Sequence, residues 1–156
     1  MIKSDENLIN TLCAKTEKPD NCKGCLEAEP KSNSADSQGL ALIAVKCAEK
    51  DTTYLHEDSL KLIPNSTTNL LTSVLKGCAA YSSKAQQMFL PVAHYVQERN
   101  YSAALDVMTE DIIPLVNYCL ELINHAPDMV VPPLVLGGVV VTNQSCTNAA
   151  GILSNL

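Results

Sequence analysis

Seven cysteines are the side chains here whose type and spacing could carry chemistry, and an odd number leaves at least one unpaired within a monomer. Cys78 and Cys119 each sit inside a long stretch of helical periodicity. The point halfway between them falls in Gln97-Glu98-Arg99-Asn100, the sharply polar break separating the two stretches. Residues equidistant from the turn of an antiparallel helical hairpin lie side by side. A disulfide needs Cα atoms about 4.4–6.8 Å apart, which this arrangement supplies. The spacing therefore predicts two helices stapled at mid-height in an oxidising compartment. Cys13 and Cys22 flank Glu17-Lys18-Pro19 and can close that turn covalently. Cys25 and Cys47 flank a helix start at Asp36 and form a third candidate pair, whose distance nothing in the sequence sets.

Other chemistry is thinly represented. Cys22-Lys23-Gly24-Cys25 is a lone CxxC without the βαβ context of a redox motif. His56, His94 and His125 are scattered, so no second pair completes a zinc site. No metal or organic cofactor is expected. There is no Gly-rich phosphate loop, no HExxH and no GxSxG. Glu57-Asp58 and Glu110-Asp111 are neighbours in sequence, and helical neighbours point apart, so neither pair makes a catalytic dyad. The chain reads as a binding protein rather than an enzyme.

The elements that position these residues are helical. The first, residues 6–30, forms a short hairpin: Leu8, Ile9 and Leu12 mark one helix, and Pro19 opens the next. It is too short to stand alone and must pack on something. Residues 31–36 are polar and end in the helix-start residues Ser34 and Asp36. Helix A runs to about Ile63 with a stripe of Leu40, Ile43/Ala44, Cys47, Tyr54/Leu55 and Leu62. Helix B starts near Ser66 or Thr67, and Leu70/Leu71, Val74, Cys78, Tyr81, Ala85, Met88/Phe89 and Val92 make its stripe. Helix C runs from about Ser102 to Asn124 through Leu105, Met108, Ile112, Leu115, Cys119 and Leu122. Pro91 and Pro114 are expected kinks in B and C. Helix D covers about Leu134 to Leu156, although Gly137-Gly138 and Val139-Val140-Val141 weaken it. The expected fold is all-α: an up-and-down four-helix bundle over residues 34–156 with an N-terminal hairpin over residues 6–30, a single domain of 156 residues.

The bulk numbers agree. The chain is 46% hydrophobic with no Trp and one Phe, so the core must be aliphatic, and its formal charge is −6. An acidic chain without a Lys/Arg run has no electrostatic reason to seek nucleic acid or anionic lipid. No apolar run reaches the length of a membrane span. Three sequons occur, at Asn65, Asn100 and Asn143, two of them in expected turns, where glycan acceptors lie. Met1-Ile2-Lys3-Ser4-Asp5-Glu6 is polar. The expectation is a secreted glycoprotein whose signal has been removed.

Several of these stretches resemble the plant invertase and pectin methylesterase inhibitors. Glu6-Asn7-Leu8-Ile9 through Cys13, Thr16, Pro19 and Cys22, followed by Leu26, is similar to that family's opening pattern. Glu29-Pro30-Lys31-Ser32 with Asp36 and Gly39-Leu40 resembles its entry to the bundle. Leu75-Lys76-Gly77-Cys78 with Tyr81 and Ala85 resembles its third-cysteine motif, and Cys119 stands where the fourth is expected. The resemblance implies the bundle and hairpin, the pairs Cys13–Cys22 and Cys78–Cys119, and Cys146 as the unpaired cysteine. It implies a secreted or vacuolar, non-catalytic protein that binds its target one-to-one and blocks the substrate cleft. The target is pectin methylesterase, which hydrolyses methyl esters of wall pectin, or acid invertase, which hydrolyses sucrose.

Invertase inhibitors often carry a Pro-Lys-Phe tripeptide where this chain has Tyr101-Ser102-Ala103-Ala104, which favours pectin methylesterase. Against that, inhibitors of the esterase tend to have carboxylates after the third cysteine and a Thr before the fourth. Here Ala80, Lys84 and Gln87 follow, Tyr118 precedes Cys119, and Glu121 keeps a carboxylate near the expected place. The expected target surface is the outer face of helices B and C: Ala80, Lys84, Gln87, Glu110 and Glu121. From another class, an aliphatic bundle could carry a small apolar ligand, with Pro91 and Pro114 as the places for a cavity.

Overall fold

The computed structural model describes residues 2–156, with side chains from Glu6 onward. Two short helices come first, α1 (Ile2–Ala14) and α2 (Pro19–Ala28). Pro19 occupies the first turn of α2, where a missing N–H costs nothing. The Cys13–Cys22 disulfide closes the turn between them, with Cα atoms 5.5 Å apart. Ile9, Leu12 and Leu26 are buried, so the hairpin finds its partner in the rest of the chain.

A 3-10 turn (Pro30–Ser34) replaces part of the expected polar linker and leads to α3 (Ser37–Leu62). Asp36 caps α3, its Oδ1 accepting from the Gly39 N–H at 2.8 Å. Pro64 ends the helix in a second 3-10 turn. Thr68 then caps α4 (Asn69–Gln87), two to three residues later than the sequence suggested. The break expected at Pro91 lies upstream, at Met88, between α4 and α5 (Phe89–Gln97). The proline ring collides with the carbonyl four residues before it, that of Gln87, so the ladder opens there rather than at the proline itself.

Pro114 acts in the same direction on the next helix. α6 (Tyr101–Val107) passes into a π-turn (Met108–Ile112) and then α7 (Ile113–Asn124). The Ile113 N–H donates to the Met108 carbonyl, one residue further back than in an α-helix. The expected kink is thus a register shift that absorbs the missing donor. The last helix, α8 (Pro133–Ser154), is continuous through Gly137-Gly138. Its helix-poor residues are outweighed by burial of Val135, Val139, Thr142, Cys146 and Ile152.

α3 packs on α4 and α8, and α7 packs on the same two from the opposite corner. This is an up-and-down four-helix bundle, with the hairpin laid on α3 and α8. The core stripe of α3 differs from the expected one. Leu40, Ala44 and Leu55 are buried as expected, but Tyr54 is exposed and Ile43 and Leu62 are only half-buried, while Ala41, Val45, Ala48, Thr52 and Ser59 also face inward. Thr52 and Ser59 hide their hydroxyls on the Ala48 and Leu55 carbonyls, both at 2.7 Å, so small polar residues enter the core at no unpaired cost. In α4, Leu70 is likewise exposed, and Leu75 and Ser82 join the buried set.

The α5–α6 turn falls where the cysteine spacing put it. The Arg99 N–H donates to Val96 O at 3.0 Å and the Asn100 N–H to Tyr95 O at 2.8 Å. That pattern needs a left-handed residue, and Arg99 supplies it at φ 61°. Gln38 Nε2 from the start of α3 donates to the Val96 and Gln97 carbonyls, tying off the end of α5.

Candidate functional site

Cys78 and Cys119 are bonded and fully buried, with Cα atoms 4.6 Å apart. Such a close approach of α4 and α7 needs a small neighbour. Gly77 meets it: a Cβ there would stand 2.4 Å from Leu122 Cδ1. On the outer side of the bridge, Tyr81 and Tyr118 pack ring to ring, with centroids 5.4 Å apart and planes tilted by 47°.

All five residues expected at a target surface are exposed. Ala80, Lys84 and Gln87 recur at helical spacing and form one stripe along α4. Glu121 lies on the outer side of α7. Glu110 lies on the π-turn, whose extra residue re-aims that segment, and Asp111 is exposed beside it. The tyrosine pair joins these as a sixth and seventh member: Tyr81, expected in the core stripe, is only half-buried, and Tyr118 was not among the expected surface residues. Tyr118 is 45% exposed despite its size. The available signal was its position immediately before Cys119, which turns it outward when Cys119 faces in. The charged residues of the face are Lys84 on α4, Glu121 on α7 and Glu110 on the π-turn.

Of the three sequons, Asn65 is exposed in the 3-10 turn after α3, and Asn100 is exposed at the cap of α6 with its Oδ1 accepting from the Ala103 N–H at 3.3 Å. Asn143 differs. It is half-buried in mid-α8, and its Nδ2 donates to Asn117 Oδ1 at 2.6 Å.

The titratable groups are dispersed. His56 Nδ1 lies 2.9 Å from Ala79 O, and His125 Nδ1 lies 3.0 Å from Glu121 O. Among the described residues, no cluster of His, Cys, Asp and Glu could hold a metal ion. Cys146 is the free cysteine, and burial pushes its thiol up to about 12, with nearby Asp51 acting the same way and Thr52 opposing. It is protonated and inert. Cys25 and Cys47 are bonded across 6.2 Å between Cα atoms, fastening α2 to α3. Beside that bridge, a cleft of about 500 Å³ between α2, α3 and α8 is lined by Asp51, Tyr54, Val141 and Ser145. At Pro91 the outer surface holds a depression lined by Leu90, His94 and Tyr95. The core positions beneath it are filled by Phe89, Val92 and Val96, all fully buried.

Burial raises the Asp51 carboxyl above its ordinary range, and interactions with Ser145 and Lys50 offset this in part. A carboxyl held above its unfolded value binds its proton more tightly in the native state. It therefore contributes stability below the ordinary carboxylate range and loses it as pH rises through the raised value. Asp51→Asn is expected to raise the melting temperature at pH 7 and to leave it unchanged at about pH 3, where both states are protonated. Thermal melts of the two proteins at the two pH values check this.

No curated protein gives a significant match. Two crystal structures share the fold, both of pectin methylesterase inhibitors from Arabidopsis. One, a mutant form, superposes with a TM-score of 0.82 at 16% identity, covering 95% of this chain and 96% of that one. The other has a TM-score of 0.71 at 16% identity, covering 96% of each chain. At that identity they carry the architecture alone. The sequence model of the family described as plant invertase/pectin methylesterase inhibitor matches residues 7–152, nearly the whole chain. This protein belongs to the plant invertase/pectin methylesterase inhibitor family, whose members inhibit enzymes and are not themselves catalysts.

Proposed function

We propose that the target is pectin methylesterase, and that the outer face of α4 and α7 covers its substrate cleft as a reversible one-to-one complex in the plant cell wall. Acid invertase of the cell wall or the vacuole is the alternative target within the same family. The observation that carries the reading is the buried Cys78–Cys119 bridge beneath an aromatic pair of half-buried Tyr81 and exposed Tyr118. It holds two helices in fixed relation, so their outer residues bind without first being ordered. Tyrosine presents a large contact area with few rotatable bonds and a polar end, which suits the centre of an interface. Lys84 and Glu121 at the edge tune association. Among the described residues no helix is long and apolar enough to cross a membrane. Asn65 is the sequon proposed to carry a glycan, because its amide is exposed and uncommitted, whereas a glycan on Asn143 would sacrifice the bond to Asn117.

The test is a side-by-side titration of the protein against a plant pectin methylesterase and an acid invertase. The esterase should lose activity stoichiometrically, and reduction of the inhibitor should restore it. The Lys84→Glu/Glu121→Lys double variant should inhibit about tenfold less well with its circular dichroism unchanged. Inhibition of invertase alone overturns the target. Undiminished inhibition by the double variant moves the contact surface elsewhere, to the N-terminal hairpin first.

A further inference from the structure

The lysines of this acidic chain are not evenly spread. A groove of about 460 Å³ runs between α2, the 3-10 turn after it, and α3, along the Cys25–Cys47 bridge. Lys31, Lys46 and Lys50 line it, and its floor includes Leu42 and Ile43. The one carboxylate in its wall is Glu29, whose Oε1 accepts from the Lys31 N–H at 3.4 Å and so is engaged with the turn. Lys46 and Lys50 stand four residues apart on α3 and share a face. Among the described residues the only ion pair joins Arg99 to Asp36, so none of the three ammonium groups is held in a salt bridge, although Asp51 beside Lys50 offsets part of that charge. Lys50 also borders the neighbouring cleft, where its Nζ lies over the Tyr54 ring at 5.8 Å, so it stands between the two. Three lysines against one carboxylate make a positive site on a chain of formal charge −6.

Gathering like charges costs free energy unless an anion meets them. We propose that this groove binds a carboxylated oligosaccharide, a short polyuronate. Its carboxylates meet Lys31, Lys46 and Lys50, and the CH faces of its rings lie on the apolar floor. An ammonium is a strongly hydrated, rotatable point charge that suits carboxylates at varied spacing. The choice of a uronate rests on the target reading above. Pectin methylesterase leaves carboxylates where its substrate carried methyl esters, so the enzyme's product carries the charge this groove complements and its substrate does not. α3 stands at the bundle corner diagonal to α7, so the groove remains open when the α4–α7 face is occupied. One molecule would then hold the enzyme and the polymer that the enzyme has just de-esterified.

The experiment titrates the intact, disulfide-bonded protein, without enzyme, with a short oligogalacturonate and with its methyl-esterified counterpart at low ionic strength. The acid form should bind with an affinity that falls as salt is added. The ester should bind at least about tenfold more weakly. Lys31→Glu/Lys46→Glu/Lys50→Glu should abolish binding at an unchanged melting temperature, while Lys46→Arg/Lys50→Arg should retain it. No binding of the acid form, equal binding of the ester, or full binding by the triple glutamate variant overturns the proposal. So does equally tight binding of duplex DNA or of phosphatidylserine vesicles, which would make the groove an unselective polyanion surface. Uronate binding by a protein that inhibits neither esterase nor invertase supports the groove and counts only against the target.

Discussion

Replacing Cys78 and Cys119 together with alanine should lower the unfolding free energy by about 4 kcal/mol. The bridge spans 41 residues, and closing a loop of that length removes much of the freedom of the unfolded chain. Both cysteines are fully buried, so the alanines also leave space in the core, and burial adds to the loss rather than offsetting it. A loss of this size is a large part of the roughly 5–15 kcal/mol that holds a domain of this size together. Denaturant melts of the variant and the parent measure it, and inhibition should fall in step with the folded fraction. A loss below about 1 kcal/mol would mean that the unfolded chain already keeps α4 and α7 together without the bridge.

How much of this was legible beforehand depends on the range of the interaction concerned. The α4–α7 staple was readable because it is symmetric about a turn, and a turn is local: polar residues and the Arg99–Asn100 pair mark it. Helix ends with a side-chain cap, such as Asp36, were readable for the same reason. Pro91 and Pro114 announced interruptions but not their form. Whether a missing donor becomes a break at Met88 or a π-turn over Met108–Ile112 is decided by what packs against the segment. The inner face of α3 was read correctly at Leu40, Ala44 and Leu55 but misread toward Tyr54 and Leu62 because large apolar residues were favoured, whereas packing against α8 also selects the small Ala48 and Thr52. The exposed residues of the candidate face followed directly from which way Cys78 and Cys119 point. The outward position of Tyr118 was readable from its place before Cys119, but its pairing with Tyr81 crosses between helices and had no local signal. The lysine groove was invisible for the same reason, since Lys31 meets Lys46 and Lys50 only once Cys25 and Cys47 are known to be joined.

That last bridge carries the second large expectation. Replacing Cys25 and Cys47 with alanine should cost about 3 kcal/mol, less than the α4–α7 pair, because the loop it closes spans 22 residues. The location of the loss matters more than its size. The hairpin is otherwise held by burial of Leu26 and Ile9 and by a polar clamp on α8. In that clamp Asn148 accepts from the Lys18 N–H and donates to the Lys18 carbonyl, both at 3.3 Å, and Asn21 donates to Gln144. Two long hydrogen bonds contribute about 1 kcal/mol each at most. The clamp therefore orients the hairpin, while the disulfide and the apolar contacts hold it. Without the disulfide, α1 and α2 should open as a unit ahead of the bundle. Hydrogen exchange followed by mass spectrometry should show the amides of α2 losing protection while those of α4 and α7 keep theirs. Uronate binding should weaken with them, since the wall that carries Lys31 is no longer fixed against α3. Equal loss of protection across all helices would instead show the hairpin and the bundle unfolding as one cooperative body, with the Leu26 contact rather than the bridge deciding where the hairpin sits.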